Sequence, residues 1–297
     1  MTVYERNRKL VIPFLLPALF LYLLFFIYPA IRGFYYSTLE WSGFTQAADF
    51  RGLGNFFELF QDQWFWRSLS KTAIILSLGG SIIFALVFLF VILLNSGVKS
   101  RNFFRAVIFL PNIIAPVAIT ILWGFIYNQR FGLINGFLRI IGLDKLAQPW
   151  MAPEYIFWSM IIMIVWTYVG FYLVILLSGI AKIPPELYEV AVIEGANPTQ
   201  MFVKITVPLV WDVLSIAVIY WGIFSLKMFE IIYSFSGFLP KAGIWTTAVY
   251  VYILGFGKIN PIYRLGYATA VAVVLLIFVM IFVIVSRYVL QRERVEY

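Results

Sequence analysis

Ala181-Lys182-Ile183-Pro184-Pro185-Glu186-Leu187-Tyr188-Glu189-Val190-Ala191-Val192-Ile193-Glu194-Gly195-Ala196-Asn197-Pro198-Thr199-Gln200-Met201-Phe202-Val203-Lys204-Ile205-Thr206-Val207-Pro208 joins two long apolar runs, 155–179 and 207–235. Its local chemistry predicts two short helices and a bend. Pro185 suits a first helical turn, where its missing N–H costs nothing. Glu186 and Glu189 then lie at the positive end of the helix dipole. Leu187, Val190, Ala191 and Glu194 recur at three- and four-residue spacing, the period of an amphipathic helix. Gly195 can end that helix in the left-handed conformation. Asn197-Pro198 supplies an N-cap and a first-turn proline for a second helix. Pro208 is expected at the start of the next apolar run. Ala191, Gly195 and Ala196 are small and let another surface approach closely. On these residues alone, the segment reads either as a helix lying on a membrane surface or as a docking knob.

Outward from this segment the chain is almost entirely apolar. Of its 297 residues 63% are hydrophobic and 12% charged. A soluble domain carries about a quarter charged residues, and one this apolar would aggregate. A bilayer core is crossed by about 20 apolar residues in a helix. Six stretches meet that length: 10–31, 72–95, 106–127, 155–179, 207–235 and 264–288. The predicted fold is therefore an all-α integral membrane protein, a single domain of six spans, with 180–206 as one of its loops. Asn95-Ser96-Gly97, Asn128 to Gly132 and Ser236-Gly237 mark breaks between spans. The first run is too long for a signal h-region and has no A-x-A site, so it reads as a retained span.

An even number of spans puts both termini on one side. Lys and Arg split eleven to ten between the two sides, which decides little. Their density does more: Arg6, Arg8 and Lys9 precede the first run, and Lys99, Arg101 and Arg105 crowd one short loop. Short loops and the first span weigh most in setting orientation, which places the termini and 180–206 in the cytoplasm. The outer segment 32–71 holds Trp41, Trp64 and Trp66, suited to an interface.

Composition also excludes chemistry. Cys is absent, so there is no disulfide, thiol nucleophile or cysteine metal site. His is absent as well, removing the commonest general base and metal ligand. No catalytic cluster remains, and no metal or cofactor is expected on this chain. The net charge of +8 fits anionic headgroups and a basic cytoplasmic face better than nucleic acid. An ion-gradient transporter would want intramembrane carboxylates in repeated halves. Glu230 is the strong candidate, with Asp212 near a helix end.

Within spans, Pro111 and Pro116 can kink the third and free backbone carbonyls. Lys227 and Glu230 stand three apart in the fifth, where they would share a helix face and could pair. Charges at membrane depth face a wet cavity or the interior. Lining a pore and forming a structural ion pair are the two readings. Aromatic faces and hydroxyl groups suit sugars, which makes Tyr220, Trp221 and Phe224 candidates for a solute path; packing and lipid contact are the plainer roles for each.

Glu189-Val190-Ala191, then Gly195, then Ile205-Thr206-Val207-Pro208, matches the spacing E-A-A, three residues, G, nine residues, I-x-L-P. This resembles the EAA loop of binding-protein-dependent ABC importer permeases, with Val190 for an alanine and Val207 for leucine. Pro184-Pro185-Glu186-Leu187-Tyr188-Glu189 and Glu194-Gly195-Ala196 are similar to the carbohydrate-uptake branch, which includes maltose and glycerol-phosphate permease subunits. The likeness continues through Pro17 to Phe20, Tyr28-Pro29, Gly52 to Phe56, Phe103 to Ala106, Phe109 to Pro111, Trp123 and Gly132 to Asn135. Phe229 to Tyr233 resembles the fifth-span signature, with Glu230 for the usual Asp. Ser236-Gly237-Phe238-Leu239-Pro240 departs from the glycine-richer turn of many relatives.

The resemblance implies a type I importer permease in a prokaryotic plasma membrane. The chain has no G-x-x-x-x-G-K-[ST] loop. ATP and magnesium would therefore belong to two cytoplasmic ATPase subunits gripping Glu186, Glu189, Ala191, Glu194, Gly195, Ala196, Ile205 and Pro208. A second related permease chain and an extracytoplasmic solute-binding protein complete the implied assembly. The implied solute is a sugar or oligosaccharide, with a glycerol-phosphate-type polyol ester as the alternative.

Overall fold

The computed structural model describes residues 3–45, 48–95, 99–237, 242–257 and 263–290. Ser96, Gly97, Phe238, Leu239 and Pro240, named above as turn residues, lie outside them. The described chain is helical with one small hairpin. Among the described residues four helices are long and apolar enough to cross a membrane: α1 (Pro13–Tyr36), α3 (Gln63–Leu94), α7 (Ile156–Ile180) and α13 (Leu265–Leu290). The two remaining expected spans are bent pairs. They are α4 (Arg101–Ile113) with α5 (Pro116–Ile126), and α9 (Pro198–Leu209) with α10 (Trp211–Leu226). Shorter helices are α2 (Gly54–Gln61), α6 (Leu133–Ile140), α8 (Glu186–Ile193), α11 (Glu230–Phe235) and α12 (Thr247–Phe256).

Long apolar helices cover the expected spans one, two, four and six, although the first runs on to Tyr36 and the second begins at Gln63, both inside the expected outer segment 32–71, while the third and fifth need correction. The third is no single rod: α4 and α5 meet at 102°. Pro116 causes this, because a proline drives the residue before it out of the helical region. Ala115 is accordingly extended (φ −57°, ψ 136°) and Pro116 opens α5 at its first turn. Pro111, by contrast, sits inside α4 without ending it. The fifth run bends by 70° at Val210, one residue past the helix that contains Pro208. It breaks again across Lys227, Met228 and Phe229 before α11 begins. The single span 207–235 is thus three helical pieces.

The chain falls into two compact units, 1–65 with 250–276, and 66–249 with 277–297. In the first, β1 (Leu39–Glu40) pairs antiparallel with β2 (Asp49–Phe50), Leu39 opposite Phe50. Asn55 on α2 is buried and donates to the carbonyls of Ser37 (2.9 Å) and Leu39 (2.8 Å), fixing α2 against the hairpin. Glu58 accepts from Arg51 and Arg264, each at 2.8 Å. Asp62 accepts from the hydroxyls of Tyr250 (2.5 Å) and Tyr267 (2.7 Å), and caps Trp64 N–H at 2.8 Å. Burial pushes the Glu58 carboxyl up, but the hydrogen bonds from the two guanidinium groups outweigh this and hold it below the ordinary carboxylate range.

In the second unit α7 is the core, with Met160, Met163, Ile164, Leu173 and Leu176 fully buried. It packs against α3, α4 and α10. A Cβ at Gly170 would run into the backbone carbonyl of Ile108, so α4 crosses α7 backbone to backbone there. Trp221 on α10 is buried, and its indole N–H donates to Leu76 O (2.9 Å) at a π-helical turn of α3. Such turns leave carbonyls short of their usual partners.

Candidate functional site

The bend between α8 and α9 is built from its own sequence. Glu186 and Glu189 occupy the first turn of α8. The helix ends in a Schellman motif: Ala196 N–H donates to Ala191 O (2.9 Å) and Gly195 N–H to Val192 O (3.0 Å). Gly195 has φ +81°, as this closure requires. Two residues on, Asn197 and Gln200 form a reciprocal capping box at the start of α9, both bonds 2.9 Å, with Pro198 in the first turn. The two helices are then tied to each other, since the Tyr188 hydroxyl lies 2.9 Å from Thr206 Oγ1 and Thr206 is buried. Tyr188 and Thr206 were not singled out from sequence. Their pairing across eighteen residues depends on the bend angle, which no local rule supplies.

The other face is open. Ala191 is buried at 8% exposure, while Ile193 is 85% exposed. Val190 and Val192 are exposed too. Glu186, Glu189, Glu194, Gly195 and Pro208 are exposed, and Ala196 and Ile205 are half-buried. None of the three glutamates forms an ion pair among the described residues. The structure therefore gathers the expected docking residues onto one bent element with aliphatic and acidic side chains outward, except Ala191, which is turned into the protein and cannot meet a partner as expected.

The fifth-span candidates divide. Tyr220 and Phe224 stack on α10 with centroids 6.4 Å apart. They meet Phe171 (5.5 Å from Tyr220) and Tyr168 (4.9 Å from Phe224) on α7. Tyr220 is half exposed, whereas Trp221 is turned into the core. Tyr168 and Phe171 were missed in the sequence because 20% of the chain is aromatic and nothing local distinguishes them. Lys227 and Glu230 are both exposed at the break between α10 and α11. They are not on one helix, and no ion pair joins them among the described residues. The break removes the periodicity on which that pairing rested.

Residues 88–295 match the family model described as "Binding-protein-dependent transport system inner membrane component". The chain belongs to this family. The matched region contains both the α8–α9 bend and the fifth span. Among relatives of this permease is the probable ABC transporter permease protein YurN of Bacillus subtilis, 34% identical over 91% of this chain and 93% of that one. The trehalose/maltose transport system permease protein MalF of Thermococcus litoralis is 31% identical over 95% of each. A chain of a bacterial alginate ABC transporter, solved with an alginate pentasaccharide-bound periplasmic protein, superposes with a TM-score of 0.80. It covers 98% of both chains at 22% identity. That likeness establishes the type I importer permease fold.

Proposed function

We propose that this permease is one half of the translocation pore of an ATP-driven sugar or oligosaccharide importer, moved by ATPase subunits that grip the α8–α9 bend. The observation that carries the reading is the set of hydrogen bonds that closes that bend. A motor protein can drive a pore only through a lever that does not absorb the motion. The Schellman closure, the capping box and the Tyr188–Thr206 bond remove the soft degrees of freedom. Exposed Ile193, Val190 and Val192 offer an apolar grip, and Glu186, Glu189 and Glu194 favour a basic rim on the partner. A docked partner shifts the pore only by binding its two states unequally, so the grip differs between inward- and outward-facing forms.

The sugar assignment is supported by the relatives, one named for trehalose and maltose and another solved with alginate bound to its periplasmic protein. Tyr220, Phe224, Tyr168 and Phe171 form an aromatic surface of the kind sugar rings stack on, with Lys227 and Glu230 nearby in sequence as hydrogen-bonding groups. Trp221 takes a packing role. In this reading the assembly holds a second related permease, two ATPases carrying ATP and magnesium, and an extracytoplasmic solute-binding protein. The chain's termini lie in the cytoplasm of a prokaryotic cell.

The test is ATPase activity of the reconstituted complex against a panel of saccharides and polyol phosphates, each offered with the binding protein. Stimulation by a saccharide is expected. Uptake driven by an ion gradient with no ATPase present would overturn the proposal.

A further inference from the structure

Between α5 and α7 the chain forms α6, an eight-residue helix that the pore and the lever do not account for. Asn135 orients it. That side chain is 1% exposed, donates to the carbonyls of Gln129 (3.2 Å) and Gln148 (3.0 Å), and accepts from the Trp150 indole at 2.7 Å. Trp150 O in turn accepts from Ser159 Oγ at 2.9 Å, on α7. With Asn135 held against the protein, the opposite face of α6 is turned away from it. That face is Leu133, Phe137 and Ile140, spaced as one helical stripe, and they are 71%, 61% and 85% exposed. The flanking cations Arg130, Arg139 and Lys145 are exposed and form no ion pair among the described residues. Arg139 donates to the carbonyls of Arg130 (3.2 Å) and Gln129 (3.3 Å), pinning the chain that enters α6.

We infer that α6 lies in the surface of the bilayer, with Leu133, Phe137 and Ile140 inserted among the acyl chains and Arg130 and Lys145 on lipid phosphates. Two observations favour lipid over a protein partner. The helix starts seven residues after α5 ends, and α7 starts sixteen residues after α6 ends, so apolar spans hold it at the bilayer edge. Its pattern, large apolar residues on one face bordered by cations, is that of an interfacial helix, where apolar burial and headgroup attraction add. The Asn135 network makes the anchor rigid, so α6 fixes the depth of the adjoining α5 and α7 ends.

The chain has no cysteine, so a single one can be spin-labelled once the partner subunits are also made cysteine-free. Phe137→Cys, Ile140→Cys and Arg130→Cys are prepared separately in the full complex in vesicles of phosphatidylethanolamine and phosphatidylglycerol. Each label's accessibility to oxygen and to a water-soluble nickel chelate is measured. At 137 and 140 oxygen access is expected to exceed nickel access several-fold, with the reverse at 130. Nickel access exceeding oxygen at 137 and 140 overturns the inference. So does exclusion of both reagents there, which would show a protein subunit covering α6. Two apolar positions guard against misfolding of one variant, and the readout is independent of what the importer carries.

Discussion

Replacing Gly195 separates the shape of the bend from the surface it presents. Among the described residues no atom lies within 4 Å of a Cβ built on Gly195, so a side chain there meets no clash with them. What it meets is the backbone: φ is +81°, a left-handed conformation. An L-residue pays about 1–2 kcal/mol to stay there, and asparagine less because its short polar side chain bonds locally. Alanine at 195 should therefore cut the weight of the bent form relative to unbent alternatives by a factor of about 5–30. In proteoliposomes containing the whole importer, the solute moved per ATP should fall in the order Gly, Asn, Ala, Val. Equal coupling in wild type, Gly195→Ala and Gly195→Val would refute the claim that the bend is a rigid lever. Gly195→Asp asks a different question. It tolerates the backbone better than valine but adds charge where a partner must approach. It should uncouple ATP hydrolysis from uptake, and normal assembly and uptake in that variant would count against docking at this surface.

Four further outcomes follow from the geometry. Asn197→Ala removes the side chain that accepts from Gln200 N–H and should weaken the start of α9 by about 1 kcal/mol, seen as faster amide exchange at Gln200. Trp221→Phe loses the bond to Leu76 O and should lower the melting temperature of the purified complex while leaving the KM for solute unchanged; Tyr220→Ala and Phe224→Ala should raise the KM for solute. The Glu58 carboxyl is held below its ordinary value of 4.5, so its contribution to stability is full above that pH and is lost as pH falls through the depressed value. Thermal unfolding followed down through pH 4.5 should show the loss in wild type and not in Glu58→Gln. Gly170→Ala places a methyl against the Ile108 carbonyl and should destabilise the α4–α7 crossing, read as a lower melting temperature.

What the sequence disclosed depended on whether a feature was local. Spans one, two, four and six were visible because a helix in lipid needs only apolar length. The bend at Ala115 had a local cause in Pro116, but how far the chain would turn did not. The bend at Val210 follows Pro208 by two residues, but that proline was expected to open the run, and an apolar run reads the same through a break. The break at Lys227–Phe229 had no proline or glycine to announce it, and it undid the expected pairing of Lys227 with Glu230. Helix α12 is ten residues, short of a span, and passed unmarked. In the α8–α9 segment nearly everything was legible, since caps and closures are written in neighbouring residues: Glu186 and Glu189, Gly195, Asn197 and Pro198 all stand as their chemistry predicts. The Tyr188–Thr206 bond and the Trp221–Leu76 bond were not, because each joins distant parts of the chain.

The most direct measurement places a photo-crosslinker on a single cysteine at Ile193, the most exposed large apolar residue of α8, in the complete importer in lipid vesicles. Adducts with an ATPase subunit, in a yield that changes when ATP binds, are expected. Adducts with lipid alone, the same with and without ATP, would contradict docking at this bend.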